Sequence, residues 1–159
     1  MATNATVDNK EAGAARRNIV LDTIIAVVSL VGLADAVYLT VEHVTGQSVR
    51  CTVTSGCSEV LSSSYATIAG RFPLAALGAI TYFTVFSLAT LAAFGYTSAR
   101  KLLVLLLLLM CAMTLWLLYV QAFIIGHFCQ YCLLSAAVTF TLTVLVIINQ
   151  LRQRHARSK

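Results

Sequence analysis

Two pairs of cysteines carry the reactive chemistry of this sequence. Cys129 and Cys132 form a Cys-x-x-Cys motif directly before a long apolar segment, and Cys51 and Cys57 lie in an earlier polar stretch. A Cys-x-x-Cys pair is typical of a redox site or of half of a metal site. At the start of a helix, the positive end of the helix dipole would favour the thiolate form of such a pair. The spacing therefore predicts thiol–disulfide exchange.

Thiol–disulfide exchange needs a thiolate, an accessible disulfide sulfur and room for a mixed disulfide. Small and polar residues separate Cys51 from Cys57, which predicts a mobile pair that can meet a soluble partner. The Cys-x-x-Cys pair would instead be held at a fixed position near the lipid headgroups. Together the two pairs predict an electron path from water to lipid, where a quinone is the natural electron acceptor.

Two other interpretations of the cysteines stay open at this point. Cys51 and Cys57 could form a purely structural disulfide, which is common for two cysteines in an exposed loop. The four thiolates and His127 could also bind zinc, although a Cys-x5-Cys spacing is a poor zinc knuckle. Either alternative would make the chain a non-enzymatic membrane protein.

The composition places the chain in a membrane. Of its 159 residues, 59% are apolar and 11% are charged, whereas a soluble domain averages about 45–50% apolar and about 25% charged residues. The net charge of +5 is concentrated at the two ends. Nucleic-acid binding is not indicated, because it requires a folded basic face.

Four apolar segments are each long enough to cross a bilayer, which takes about 20 residues. The first exceeds the apolar core of a signal peptide, so we expect it to be retained as a span. The predicted fold class is an all-α integral membrane protein, a four-transmembrane-helix bundle. The predicted spans are residues 19–39, 72–94, 102–125 and 131–151.

The segments outside the spans set the expected domain boundaries and orientation. Residues 1–17 are predicted to be a disordered tail, residues 18–151 the membrane domain, and residues 152–159 a basic tail. Both tails and the 95–101 turn together hold nine of the eleven Lys and Arg residues. By the positive-inside rule, both termini are predicted to be cytoplasmic and both cysteine pairs to lie on the outer side.

The outer loop, residues 42–71, contains a second short pattern. Leu61, Tyr65 and Ile68 recur at helical spacing, which predicts a short amphipathic helix along the membrane surface. Pro73 is predicted to lie in the first turn of the second span, where its missing N–H does no harm.

Asp35 is the sharpest outlier in the first span. An intramembrane carboxylate is unfavourable and is expected to face the bundle interior or water. It could be hydrogen-bonded to bundle hydroxyls or to the loop, or it could accept protons beside a quinone. Cys111, alone inside the third span, is predicted to be a small core hydrophobe.

Taken together, these features resemble those of the bacterial homologues of vitamin K epoxide reductase. The resemblance extends from about residue 19 to residue 151. The motifs that carry it are the pair Cys51-x5-Cys57, the run Cys57-Ser58-Glu59-Val60-Leu61-Ser62-Ser63, the tripeptide Phe72-Pro73-Leu74, and Cys129-x-x-Cys132.

The resemblance implies a four-helix bundle around a quinone, capped by the cysteine-bearing loop with its surface helix. It implies that Cys132 meets the quinone, that Cys129 exchanges disulfides with Cys57, and that Cys51 accepts electrons from a thioredoxin-fold partner. Ser63 matches a serine that helps to activate the cysteines. Without the resemblance, Ser63 would be interpreted as a hydroxyl that satisfies the helix backbone.

The chain also departs from the animal members of that family. They carry an asparagine early in the second span and a tyrosine one turn after the Cys-x-x-Cys motif, where this chain has Leu74 and Ala136 in the expected quinone pocket. Vitamin K epoxide is therefore not an expected substrate. The resemblance implies ubiquinone or menaquinone as acceptor, no metal, and a location in the bacterial plasma membrane. Because only residues 152–159 follow the last span, the partner is expected to be a separate extracytoplasmic protein.

Overall fold

Four long helices make up most of the protein. The structure, a computed structural model, describes residues 2–46, 57–63, 66–68 and 72–157. The long helices are α1 (Ala2–Thr45), α3 (Leu74–Ala93), α4 (Thr97–Tyr119) and α5 (Gln130–Arg157). The shorter elements are helix α2 (Cys57–Ser62), the two-residue strands β1 (Thr67–Ile68) and β2 (Phe72–Pro73), and a π-helical segment (Val120–Ile125) that continues α4.

Each long helix contains a stretch that is long and apolar enough to cross a membrane. Large apolar side chains such as Ile80 and Leu105, each more than 60% exposed, cover the outside of the bundle. Such a surface suits lipid rather than water. The prediction of an all-α, four-helix membrane protein is confirmed. The four stretches are Asn18–Thr45, Leu74–Ala93, Thr97–Ile125 and Gln130–Gln153.

The long helices form a ring in which α1 packs against α3 and α5, and α4 packs against the same two helices. The main core contains Ile25 of α1, Val85 of α3, Leu107 of α4 and Leu142 of α5, all of them fully buried. Close packing of α1 on α3 depends on Gly32, because a Cβ at that position would overlap the ring of Tyr82.

The helices extend further than hydropathy alone predicts. The segment 2–17, predicted to be a disordered tail, is helical, because α1 begins at Ala2. Several alanines and no proline in this segment favour continuing the helix that the membrane span already nucleates. Similarly, α4 begins at Thr97 rather than at residue 102, and α5 continues through Arg157.

The surface helix lies earlier in the loop than its apolar spacing predicts. Helix α2 ends at Ser62, and Ile68 belongs to β1 instead of to a helix. Ser63 Oγ donates to the carbonyl oxygen of Val60 at 2.7 Å, so the hydroxyl competes with the helical backbone bonding at this point. Tyr65, the middle residue of the predicted pattern, lies outside the described residues.

The second span begins after a short antiparallel pairing rather than at residue 72. Ile68 pairs with Phe72, and Thr67 pairs with Pro73. Pro73 is the N-cap of α3 with an extended backbone, φ −64° and ψ 131°, so it precedes the first turn in which we predicted it. This hairpin ties the outer loop to the start of α3.

A buried polar network joins side chains of three of the long helices at the end of the bundle opposite the cysteines. Arg100 of α4 forms an ion pair with Asp22 of α1, with 2.7 Å between Nη2 and Oδ2. Asn149 of α5 donates to the other carboxylate oxygen at 2.8 Å, and Gln153 accepts from Arg100 at 2.9 Å. The network holds this end of the bundle in register.

Candidate functional site

The Cys-x-x-Cys motif caps the N-terminus of α5. The backbone N–H of Leu133 donates to the carbonyl oxygen of Cys129 at 3.0 Å, which is the first helical hydrogen bond. Cys129 is therefore at the N-cap position and Cys132 at the third helical position. Cys129 is fully buried, and both residues carry free thiols. This is the position at which a helix dipole favours a thiolate.

The position of this cap is set by the change from α-helix to π-helix at the end of α4. The π-helical segment ends at Gly126, whose φ of 72° is in the left-handed region that glycine adopts readily. The N–H of Gly126 donates to the backbone oxygen of Gln121, and the side-chain oxygen of Gln121 accepts the N–H of Cys129 at 3.2 Å. Gln121 is 4% exposed, and its single side chain fixes the backbone at the start of the motif.

The residues between the two cysteines also hold the motif against α1. The ring of Tyr131 lies 5.2 Å from the ring of Tyr38, measured between centroids. An aromatic pair at this separation adds to the stabilisation that comes from burial alone. The motif is thus anchored both to the end of the third span and to the first span.

The surroundings of Cys129 favour its thiolate form. The hydrogen bond from the Cys132 side chain lowers the pKa of the Cys129 thiol to about 7. Burial opposes this effect, the backbone N–H groups of Cys132 and Tyr131 reinforce it, and the nearby charge of Asp35 opposes it weakly. A thiol with this pKa is ionised to a large extent near neutral pH, so Cys129 is the more nucleophilic member of the pair.

Cys57, the first residue of α2, belongs to the same buried cluster as the Cys-x-x-Cys motif. Cys57 and Cys129 belong to one buried cluster with Leu39 and Val60, and Cys132 packs against the same cluster. Cys57 is 1% exposed and is disulfide-bonded. Three of the predicted catalytic cysteines are therefore brought together.

The fourth predicted cysteine, Cys51, lies outside the described residues, and its role stays a prediction. Cys111 of α4 carries a free thiol and is half-buried. It belongs neither to the cysteine cluster nor to the cavity described next.

A cavity of about 380 Å³ opens between the long helices beside this cluster. Cys132, Leu74, Ala136 and Ser63, all predicted site residues, line it. Most of the remaining lining is apolar, and α4 contributes the largest share of it, including Met110. A largely apolar cavity of this size with a few polar groups is typical of a small-molecule site, and its chemistry fits a quinone headgroup.

The polar groups of the cavity wall differ in how completely they are hydrogen-bonded. The hydroxyl of Tyr82 makes hydrogen bonds of 2.9 Å with the backbone oxygen of Ser135, with Ser135 Oγ and with Thr139 Oγ1. Asp35 is 8% exposed, and its Oδ2 has no hydrogen-bond partner. Hydrogen bonding to bundle hydroxyls, one of the two hypotheses for Asp35, therefore does not explain how Asp35 Oδ2 is stabilised.

Ser63 lies at the cavity wall, but its hydroxyl donates to the carbonyl oxygen of Val60. This bond is the backbone role expected for it without the resemblance. Whether Ser63 also activates the cysteines stays a prediction. Within the described ranges, no group of three or more His, Cys, Asp and Glu side chains is arranged to hold a metal ion.

Gln121 and Tyr82 shape the site but were not among the residues predicted from the sequence. Gln121 had a usable signal, because it is a polar residue near the end of the most apolar span. Tyr82 had none, since an aromatic residue in a span is as often exposed to lipid as it is buried.

Comparisons with known proteins agree with the geometry. The chain has no match among curated proteins. Residues 23–147, more than three quarters of the chain, match the model of the Vitamin K epoxide reductase family. This range includes both cysteine pairs, the cavity wall and nearly all of the four spans, and so the chain is an oxidoreductase-type membrane protein that belongs to the vitamin K epoxide reductase family.

Proposed function

We propose that this protein is a membrane thiol:quinone oxidoreductase that supports disulfide-bond formation. It oxidises a thioredoxin-fold partner through Cys51 and Cys57, passes the electrons to Cys129 and Cys132, and reduces a membrane quinone. One observation carries the proposal. Cys57 and Cys129 share a buried cluster, and Cys132, packed on that cluster, lines the apolar cavity.

The relay consists of successive thiol–disulfide exchanges. A thiolate of the reduced partner attacks Cys51, and resolution of the mixed disulfide leaves Cys51 and Cys57 as thiols. Cys57 then attacks an oxidised Cys129–Cys132 pair at Cys129, which releases the Cys132 thiol. Attack of Cys51 on the Cys57–Cys129 bond restores the loop disulfide and leaves two thiols at the start of α5.

Cys57 is disulfide-bonded, whereas Cys129 and Cys132 carry free thiols. In the proposed scheme, a loop disulfide together with a thiol pair at the start of α5 is the combination that precedes quinone reduction. A quinone in the cavity would accept the two electrons of the thiol pair, and the pair would return to a disulfide. The low pKa of the Cys129 thiol favours the thiolate that closes this disulfide.

The proposed location rests on the charge pattern. Nine of the eleven Lys and Arg residues lie in the two tails and the 95–101 turn, so the positive-inside rule favours cytoplasmic termini and a cysteine cluster on the extracytoplasmic side of a bacterial plasma membrane. The partner is a separate thioredoxin-fold protein on that side. Ubiquinone or menaquinone is the acceptor, since either dissolves in the bilayer that surrounds the cavity.

Purified protein in detergent or lipid provides the direct test. Given a reduced thioredoxin-fold protein and a short-chain ubiquinone or menaquinone, it should reduce the quinone while the partner becomes oxidised. Cys132→Ala should abolish quinone reduction. Cys111→Ala, a matched cysteine replacement outside the cluster and the cavity, should leave the rate unchanged. A Cys132→Ala variant that is as fast as the wild type would refute the mechanism.

Thiol trapping tests the order of the relay. In a Cys51→Ala variant, the Cys57–Cys129 mixed disulfide has no Cys51 to resolve it and should accumulate in cells. Non-reducing electrophoresis after alkylation and proteolysis would identify it. A membrane protein with purely structural disulfides, the competing hypothesis, would give no such species.

A further inference from the structure

Among the described residues that line the cavity, Asp35 is the one whose side chain has a buried polar atom without a hydrogen-bond partner. Among the described residues, two buried side-chain polar atoms have no hydrogen-bond partner, Asp35 Oδ2 and Arg100 Nε. Arg100 is held in its ion pair at the other end of the bundle. Asp35 is more than nine-tenths buried and lines the cavity together with Cys132.

An unpartnered carboxyl oxygen at this depth calls for a ligand. A buried polar group without a hydrogen bond loses its interaction with water and gains nothing in return. Intramembrane carboxyl groups of this kind mark proton or substrate pathways. The hydroxyl of Tyr82, another residue of the cavity wall, is already engaged by Ser135 and Thr139. Leu74 and Ala136, at the cavity wall, supply no hydrogen bond.

We propose that Asp35, as a carboxylic acid, donates a hydrogen bond to one carbonyl oxygen of the quinone and transfers its proton to that oxygen on reduction. The inference rests on the proposed function and deepens it, because it assigns the polar contact that Leu74 and Ala136 do not make. It makes Asp35 a catalytic residue that touches the substrate.

The transfer balances in electrons and protons. Oxidation of Cys129 and Cys132 to a disulfide releases two electrons and two protons, and conversion of a quinone to a quinol consumes the same numbers. One proton reaches a quinone oxygen from Asp35. The Asp35 carboxylate then recovers a proton from those released by the thiol pair. The second quinone oxygen takes the remaining proton.

Any pH experiment must distinguish the titration of Asp35 from that of the other titratable groups around the cavity. His43 on α1, Tyr82 on α3 and Cys132 on α5 line the same cavity, and Cys129 is close enough to respond to the charge of Asp35. Helix α4 and the residues of α2 that line the cavity contribute apolar side chains and hydroxyl groups, none of which titrate in the working range.

Three replacements test the assignment. Asp35→Asn keeps a hydrogen-bond donor but cannot transfer a proton, so kcat for quinone reduction should fall by about 10²- to 10⁴-fold, the usual share of a general acid, with little change in KM. Asp35→Leu should lower kcat similarly and also raise KM, by roughly tenfold for one lost hydrogen bond. Thr40→Val, on the same helix but outside the cavity wall, should behave as the wild type.

The pH profile supplies a readout that a structural role would not change. In the wild type, turnover requires Asp35 as the carboxylic acid and Cys129 as the thiolate, so it should be highest over a limited pH range and fall on both sides of it. In Asp35→Asn the residual activity should lose the fall at high pH, because the ionisation of Cys129 alone then sets the profile. Oxidation of the thioredoxin-fold partner in a single turnover without quinone should proceed normally in the same variant.

Infrared difference spectroscopy gives a readout that does not depend on steady-state turnover. Reducing the quinone in wild-type protein labelled with ¹³C-aspartate should change a carboxylic acid C=O band, and Asp35→Glu should return that band to its unlabelled position. A folded wild type without such a change would overturn the proposal, as would an Asp35→Asn variant with unaltered kcat and pH profile. A wild type that reduces no quinone would instead overturn the proposed function itself.

Discussion

The ion pair between Arg100 and Asp22 should be the most sensitive point for the stability of the bundle. The Asp22 side chain is 2% exposed, and that of Arg100 is 20% exposed. Each carboxylate oxygen of Asp22 has one partner, Arg100 at 2.7 Å and Asn149 at 2.8 Å. Replacing Arg100 with methionine keeps most of the side-chain volume but leaves the carboxylate with Asn149 alone.

The expected loss of stability in Arg100→Met comes from the uncompensated charge rather than from the lost hydrogen bond. Hydrogen bonds between membrane helices contribute on average about 0.6 kcal/mol, which would make Arg100→Met nearly harmless. A buried carboxylate without its cation is a different case, and removing one partner of a buried pair destabilises by about 3–5 kcal/mol. Because Asn149 still binds one oxygen, we expect the lower part of that range, about 3 kcal/mol.

Unfolding in mixed micelles of increasing sodium dodecyl sulfate would measure this value. Trp116 is the only tryptophan of the chain and stacks on Tyr119 at 5.9 Å, so its fluorescence reports on α4. Lys101→Met removes the neighbouring, exposed positive charge and should change the free energy of unfolding by less than about 0.5 kcal/mol.

A double replacement separates charge from packing. Asp22→Asn combined with Arg100→Met removes both charges, so the double variant should be more stable than Arg100→Met alone, with a coupling energy of about 1–3 kcal/mol. If Arg100→Met were no less stable than Lys101→Met, or if the two single effects simply added, the interpretation of the network as a charge-compensated clamp would be wrong.

The remaining predictions concern the packing and the reactivity of the site. Gly32→Ala should destabilise the bundle by about 1–3 kcal/mol, since the added methyl group overlaps the Tyr82 ring, and a thermal melt in detergent would show no loss if that packing were loose. The alkylation rate of reduced Cys129 should rise with pH around a midpoint near 7, because only the thiolate reacts. Cys132→Ala should move that midpoint upwards towards the usual value of about 8.5, and an unmoved midpoint would contradict the assigned hydrogen bond. Gln121→Leu removes the acceptor of the Cys129 N–H and should cost about 1–3 kcal/mol of stability, whereas equal denaturation midpoints for Gln121→Leu and wild type would show that this bond does not hold the motif.

Hydropathy predicted the architecture because a membrane imposes a simple rule. A helix that crosses the hydrocarbon layer must satisfy its own backbone and present about 20 apolar residues, so four such stretches predicted four spans. The helix ends were predicted less well. Outside the hydrocarbon layer polar residues can be helical too, as the segment 2–17 and the first turn of α4 are.

The outer loop shows why short patterns mislead. Leu61 and Ile68 have helical spacing, but Ile68 pairs with Phe72 in a strand. A match of three apolar positions in eight residues is weak, and the serines beside Leu61 offer the backbone other hydrogen bonds. The backbone pairing with the residues before α3 decided the outcome, and that pairing cannot be deduced from apolar spacing.

The sequence by itself determined the membrane class, the four spans and the Cys-x-x-Cys at the start of a helix, because hydropathy and motif spacing are properties of neighbouring residues. Only the tertiary structure decided that Cys57 and Cys129 share one buried cluster, that Cys132 lines the same cavity as Leu74, and that one oxygen of Asp35 has no partner. These facts depend on how helices far apart in the chain pack around one another, which side-chain shape determines and apolar content does not.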